Sequence, residues 1–413
     1  MKNVHVPIVV IIVLIISVAA CKKDDDNDTG SSQVIFTYSA GFPSGTSDNW
    51  LVARDYESGE LLDAQPIPDY QVVTLKTNKS IPGNKISLTW FRVVGTGSNK
   101  RIYADVYNGV DVGETWNADT SVGDVVYDTP TEVTGSYKLS ITDVPSVYAL
   151  SVSDSFGPIS QNMTFVGNTL SGDVDIHKGV KKHFVSIDIG SGSPRFATIT
   201  NFNGDETVQI SYNIFQAFEN VINVQFKKTT YALVSTYGYT DTFTSSGYEV
   251  YDNGAWGFTR GDERTQLNLG FTDLFKNYVV QVSLGDFQYT KRGSAPTGIN
   301  YVSSDNFNIT NSTLNGYSVT SSVDYLYRAV QYVYTDVDSN VPTVVTYYDR
   351  PSETKHSDPL TPEIMQQFSI PIEKLSHSYT AFYVQGPTFE NLIANKFNPG
   401  TLPGTNETAW VYK

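Results

Sequence analysis

The chain has 413 residues, a formal net charge of −15 and 17% charged residues, against the roughly 25% usual in soluble domains, with 27 Tyr, 21 Phe and 5 Trp. So much apolar and aromatic side chain excludes a mostly disordered chain, and the acidity (pI 4.7) excludes a general binder of nucleic-acid backbone, which needs a basic face. One cysteine excludes an intramolecular disulfide and a multi-cysteine zinc site.

Lys2 supplies a short positive start, and Val6 to Ala20 form an apolar run. The run has the length of a signal-peptide core and falls short of the ~20 residues that span a bilayer. It ends Ser17-Val18-Ala19-Ala20-Cys21, with small residues that let a peptidase approach the backbone. The Val-Ala-Ala-Cys quartet resembles the bacterial lipobox. That resemblance implies a diacylglycerol on the Cys21 sulfur, cleavage before Cys21 and a palmitate-type acyl chain on the new amine. Each buried CH₂ contributes about 0.8 kcal/mol, so two or three acyl chains hold a protein on a membrane where one does not. Residues 1–20 are thus expected to be a lipoprotein signal peptide, and 21–32 a flexible acidic tether, Cys21-Lys22-Lys23-Asp24-Asp25-Asp26-Asn27-Asp28-Thr29-Gly30-Ser31-Ser32. The acidic run resembles the export signal of Bacteroidetes surface lipoproteins. This implies an outer-membrane location, lipid-anchored and facing the cell exterior.

Beyond the tether the apolar period is two. Val34 to Tyr38, Lys85 to Val93, Tyr137 to Ile141, Phe184 to Ile189, Tyr278 to Leu284 and Thr343 to Tyr348 read as strands, bounded by turn residues such as Asn108-Gly109, Asn203-Gly204-Asp205 and Asn253-Gly254. In Lys85–Val93 the alternation puts Ile86, Leu88 and Trp90 on one face, as in an antiparallel sheet with one side buried. Helical signals are short. Thr361-Pro362-Glu363 offers an N-cap, a proline at the first helical position and an acidic first turn, and Thr388 to Asn395 is similar. Asn213 to Ile222 fits helix or strand, and no βαβ alternation appears.

The expected fold is all-β: two immunoglobulin-like β-sandwich domains, 33–128 and 129–225, followed by a larger antiparallel β-sandwich or jelly-roll domain, 226–413, with short helices. The Thr129-Pro130-Thr131-Glu132 stretch and Lys227-Lys228-Thr229-Thr230 mark the junctions. Alternating aromatic strands also describe outer-membrane barrels, but the evenly spaced ten-residue apolar-outward segments of a barrel are missing.

Chemistry-bearing motifs are sparse. No Gly-x-Ser-x-Gly elbow and no His-Glu-x-x-His helix occurs. Asp173-Val174-Asp175-Ile176-His177 would align Asp173, Asp175 and His177 on one strand face, as weak metal ligands or simply as the polar face of a sandwich strand. Asp336-Val337-Asp338-Ser339-Asn340 carries oxygen ligands at alternate positions as a calcium loop does, but has Val341 where that loop needs glycine, and reads as a turn. Asp205 and Glu206, Asp262 and Glu263, and Glu114 read as loop charge rather than as a glycosidase pair. No cofactor is expected, and an enzyme is disfavoured.

The aromatic excess is the most informative feature left. Tyr237-Gly238-Tyr239 and Tyr248-Glu249-Val250-Tyr251 with Trp256 are the weak ligand-binding candidates, and Tyr325, Tyr327, Tyr332 and Tyr334 are spaced alike. Aromatics on an outer strand face stack on sugars or partners, and on an inner face they are core. The expectation is a surface protein binding an extracellular ligand, possible glycan included. The alternatives are a structural, adhesive or accessory subunit of an outer-membrane protein complex, and a carbohydrate-active hydrolase. Nucleic acid is not an expected partner.

Overall fold

The computed structural model describes residues 32–39, 46–69, 71–117, 132–159, 162–190, 194–229, 231–241, 243, 247–253, 264–335, 341–353, 356, 358–397 and 406–413. Cys21 and the tether up to residue 31, residues 129–131 of the first junction, Trp256, Asp262, Glu263 and the Asp336–Asn340 loop lie outside the described residues. Strand accounts for 59% of the structure and helix for 9%.

The strands run in chain order as follows. β1 (Gln33–Ser39), β2 (Thr46–Asp55), β3 (Leu61–Pro66), β4 (Val72–Thr77), β5 (Lys85–Val94), β6 (Arg101–Asp111) and β7 (Glu114–Asn117) come first. Then follow β8 (Val133–Thr142), β9 (Ala149–Asp154), β10 (Gly157–Pro158), β11 (Thr164–Val166), β12 (Thr169–His177), β13 (His183–Asp188), β14 (Arg195–Ile199), β15 (Thr207–Ser211) and β16 (Gln216–Ala217). The rest are β17 (Asn220–Thr229), β18 (Ala232–Tyr239), β19 (Tyr248–Asp252), β20 (Arg264–Phe271), β21 (Asn277–Leu284), β22 (Phe287–Gly293), β23 (Phe307–Asn311), β24 (Ser318–Ser321), β25 (Tyr327–Thr335), β26 (Pro342–Asp349), β27 (Ser376–Gln385) and β28 (Asn406–Tyr412). Helix α1 (Pro362–Phe368) starts where Thr361 accepts from the Ile364 N–H at 3.3 Å, with Pro362 at its first turn. Helix α2 is Phe389–Phe397. Asn213–Ile222 is neither one helix nor one strand. A single 3₁₀ turn at Tyr212–Ile214 gives way to β16 and then β17.

In the first unit the sheet β4-β1-β7 packs over the β3-β2-β5-β6 end of a twelve-stranded sheet. Trp116 fills the space between, edge-on to Phe36 at 4.7 Å and to Tyr107 at 5.3 Å. In the second unit the sheets β10-β9-β13-β14-β16 and β11-β12-β8-β15 enclose Leu139, Ile141, Leu170, Val174, Val185 and Ile187. Each unit sets its first strand parallel beside a late one, β1 beside β7 and β8 beside β15.

The twelve-stranded sheet has the order β19-β18-β21-β22-β28-β27-β25-β26-β6-β5-β2-β3. Its seam is the parallel pair β26/β6, which sets Thr346 opposite Asp105 and Tyr348 opposite Tyr107. Residues from the segments expected as first and third domains therefore share one sheet, across the expected boundary at residue 128. Alternation along a strand decides which face is apolar but not which strand lies alongside. One face of this sheet is covered in two stretches. The ribbon β17-β20 with Ile299 and Phe307 covers Val280, Val282, Phe382 and Val411, while Leu314, Leu360, Ile364 and Ile370 cover Val52, Phe91, Val106, Val345 and Tyr347.

The second unit closes the sheet's β19 edge. β13 is buried along its whole length because both of its faces are used. Val185 and Ile187 point into the second core, and Phe184 joins the core of the large sheet. Ser153 Oγ donates to the Glu249 carbonyl at 2.9 Å, Ser186 Oγ to the Val250 carbonyl at 2.5 Å, and the Tyr251 hydroxyl to Asp188 at 2.9 Å. Serine hydroxyls thus satisfy edge-strand carbonyls that would otherwise invite another strand.

Candidate functional site

The motifs singled out in the sequence fall in places that give them packing roles. Val174 is buried as expected, Asp173 is exposed, and Asp175 and His177 are half-buried. His177 Nδ1 pairs with buried Asp154 at 2.7 Å, from β9 rather than from its own strand. Among the described residues no group of three or more His, Cys, Asp or Glu side chains is arranged to hold a metal ion. Asp205 takes a positive φ of 63° in a turn closed by Glu206, whose carboxylate accepts from the Asn203 N–H at 2.5 Å. His183 stacks on Phe202 at 4.2 Å beside Tyr137, which packs against both rings, and burial lowers its pKa to about 4, so it is neutral.

Of the aromatic candidates, Tyr239 and Tyr251 are buried, Tyr248 packs against Phe275, and Tyr237 is half-buried. Spacing of two did place Tyr237 and Tyr239 along one strand. The docking of the second unit on β19 then turned Tyr251 into an interface residue. Tyr327 and Tyr332 are likewise buried.

Half-buried aromatics gather instead on the other face of the twelve-stranded sheet. Residues paired directly across strands share a face. Trp410 pairs with Tyr383, Tyr383 with Tyr327, Tyr379 with Gln331, Gln331 with Thr346, Thr346 with Asp105, and Asp105 with Trp90. Arg92 opposite Tyr103 continues the same face. The covering sheet β4-β1-β7 lies beyond one end of this row, and Phe389 of α2 meets Tyr327 edge-on at 6.4 Å near another. Between them Trp90, Arg92, Tyr103, Gln331, Tyr379, Tyr383, Trp410 and Tyr412 are all partly exposed.

The rings in this row hold one another. Tyr383 stacks on Tyr327 at 4.2 Å and 17°, and on Trp410 at 5.9 Å and 28°. Tyr412 stands edge-on to Tyr379 at 5.4 Å, and Gln331 Nε2 donates to the Tyr379 hydroxyl at 3.0 Å. At the other end the Arg92 guanidinium lies 4.2 Å over Trp90 and 5.5 Å over Tyr103, and is tied to Asp105 at 2.6 Å. Burial, followed by neighbouring Tyr412 and Tyr379, pushes the Tyr383 hydroxyl up to about 12, and Tyr379 is raised by burial and Tyr412. These phenols are therefore neutral donors and acceptors at any ordinary pH.

Chemically, the row offers flat apolar faces bearing polar edges, fixed in place before anything binds. Tyr379 and Tyr383, four apart, and Trp410 and Tyr412, two apart, carry the strand signal for a shared face. Trp90 and Tyr103 lie more than 200 residues away in sequence and join the row only through β26/β6. No protein-family model matches the chain, and no curated protein matches it either.

Proposed function

We propose that this chain is a lipid-anchored outer-membrane surface protein that binds a neutral extracellular glycan on the aromatic face of its large sheet. The carrying observation is the half-buried row Tyr379, Tyr383, Trp410 and Tyr412 with Gln331 beside it. Pyranose rings have apolar faces that stack on aromatic planes and hydroxyl rims that pair with phenols and amides. A net charge of −15 favours neutral over polyanionic chains. The Val18-Ala19-Ala20-Cys21 lipobox supplies the anchor, and the acidic tether after it supports a surface position. The parallel pairings β1/β7 and β8/β15 support reading the first two units as immunoglobulin-like sandwiches that help display the large sheet.

The test is calorimetry of the detergent-solubilised full chain against a panel of soluble neutral polysaccharides, with Trp410→Ala and Tyr383→Ala beside it. Binding that falls about tenfold in either variant supports the reading. Absence of binding to every polysaccharide in the panel would remove it and leave the structural or accessory role.

A further inference from the structure

Four Asn-Gly pairs occur in the chain, beginning at Asn108, Asn203, Asn253 and Asn315. Asparagine is a thermolabile residue, and a following glycine makes it more so, because no Cβ crowds the glycine nitrogen. That nitrogen, once its proton is lost to hydroxide, can attack the asparagine Cγ. The N–Cγ bond closes a cyclic imide and the side-chain nitrogen leaves as ammonia. Water then opens the imide to aspartate or to isoaspartate, in which the main chain runs through the side chain. The reaction asks three things of a fold: an amide free to swing, a glycine N–H outside any hydrogen bond, and access for water.

Three of the pairs are held. Asn108 is 1% exposed, its Oδ1 accepting from Ser87 Oγ at 2.7 Å and its Nδ2 donating to Asp349 at 2.7 Å. Asn253 is clamped to β18, its Oδ1 accepting from the Val234 N–H at 2.8 Å and its Nδ2 donating to the Ala232 carbonyl at 2.7 Å. Asn315 is exposed but belongs to the 3₁₀ turn Leu314–Gly316, where the Gly316 N–H donates to the Thr313 carbonyl at 3.2 Å.

Asn203 meets all three conditions. Asn203, Gly204 and Asp205 are exposed, in the turn that leads into β15. Among the described residues the Gly204 N–H has no hydrogen-bond partner. The Asn203 amide makes one contact among them, from Nδ2 to Glu206 Oε2 at 3.4 Å, long for a hydrogen bond. The turn is fixed by main-chain groups instead. The Asn203 N–H donates to Glu206 Oε1 at 2.5 Å, the Asp205 N–H to the Ser136 carbonyl at 2.8 Å, and the Lys138 N–H to the Glu206 carbonyl at 2.8 Å. The amide can therefore rotate while the turn stays closed.

We propose that Asn203 is a site of spontaneous, enzyme-free modification, converting to isoaspartate and aspartate in the folded protein well ahead of the other three asparagines. The product no longer suits the turn. A carboxylate takes the place of the Nδ2 donor beside Glu206 and repels it. Isoaspartate also adds a backbone carbon just before β15 takes up its parallel register with β8, at Thr207 opposite Lys138. β15 is an edge strand of its sheet, so the change loosens that edge. This inference is independent of the glycan reading.

The experiment ages the full chain in detergent in mildly alkaline buffer and follows each asparagine by peptide mapping, with isoaspartate-specific methylation to identify the product. In the folded chain Asn203 is expected to convert at least about tenfold faster than Asn315, Asn253 or Asn108. In concentrated urea that selectivity disappears, because all four pairs are then equally free. Gly204→Ala keeps the turn, since the added methyl meets nothing nearer than the Ser136 carbonyl oxygen at 4.0 Å, and slows Asn203 by at least about tenfold. Amide hydrogen exchange in β15 is faster in the aged parent than in the fresh one. The proposal is overturned if Asn203 converts no faster than Asn315 in the folded chain, if the same order of rates persists in urea, or if β15 exchanges alike in aged and fresh protein.

Discussion

Ser151 Oγ lies 2.5 Å from Glu249 Oε1 and 3.0 Å from the Glu249 carbonyl oxygen, where β9 meets the edge strand β19. A serine hydroxyl has one hydrogen and cannot donate to both at once. The contact is complete when Glu249 is protonated, so that its carboxyl donates to Ser151 Oγ and Ser151 donates to the carbonyl. Burial pushes the Glu249 carboxyl up to about 7, partly opposed by the Ser151 bond.

The pH dependence of stability follows from that pair. The folded state holds a proton on Glu249 between the ordinary glutamate value and about 7, where the unfolded state has lost it. Its contribution is full below that window and is lost as pH rises through it, by roughly 3 kcal/mol at most. Glu249→Gln keeps a neutral donor and is expected to raise the unfolding midpoint at pH 8 relative to the parent while leaving pH 5 nearly unchanged. Thermal unfolding at both pH values checks this, and equal effects at the two would reject it.

Arg328 and Asp349 make the opposite case. Both are fully buried, at 1% and 0% side-chain exposure, and the Arg328 guanidinium lies 4.9 Å over the Tyr317 ring. Arg328→Met leaves a buried carboxylate short of a partner and is expected to destabilise the fold by about 3–5 kcal/mol. Because the Asp349 pKa is depressed, its contribution is present above the unfolded value and lost as pH falls through the lower folded one. Urea unfolding across the acid range should therefore find the parent's acid sensitivity blunted in the variant.

Arg92 joins stacking and charge in one side chain. Arg92→Lys keeps the charge but loses the flat contact with Trp90 and the directed bond to Asp105. Stability should change by no more than about 1 kcal/mol, since Arg92 is partly exposed and lysine keeps a charge beside Asp105. Glycan affinity should fall at this end of the row, and calorimetry with chains of increasing length should show the loss only for those long enough to reach it from Trp410.

Cys21 carries the anchoring prediction. Cys21→Ser should abolish incorporation of labelled palmitate and release the protein from the membrane fraction. Labelling that persists in the variant would assign the lipid elsewhere.

How much of this was legible in the sequence differs by feature. Lys85–Val93 and Tyr137–Ile141 announce their strands because each alternates over a buried face, and Thr361-Pro362 announces α1 because cap and proline act within one turn. The parallel pairing of β26 with β6 left no local trace, since register between strands so distant is decided by packing. The aromatic face was illegible for the same reason: its rings come from β5, β6, β27 and β28, and only the completed sheet assembles them. His356 and Asp349 are close in sequence, but the buried hydrogen-bond chain they belong to runs on through Asn108 and Ser87, brought in by β6 and β5.

The place of β28 sets an order of events. Asn406–Tyr412 lies between β22 and β27, both of which are synthesised before it. Until residue 412 has emerged, those two strands present unsatisfied inner edges to each other and to any neighbouring chain. The sheet is therefore closed by a late insertion, a slow, high-contact-order step. Nearly all of the chain must therefore be available before the large sheet can be continuous, and a truncation that removes only the last eight residues would split it in two.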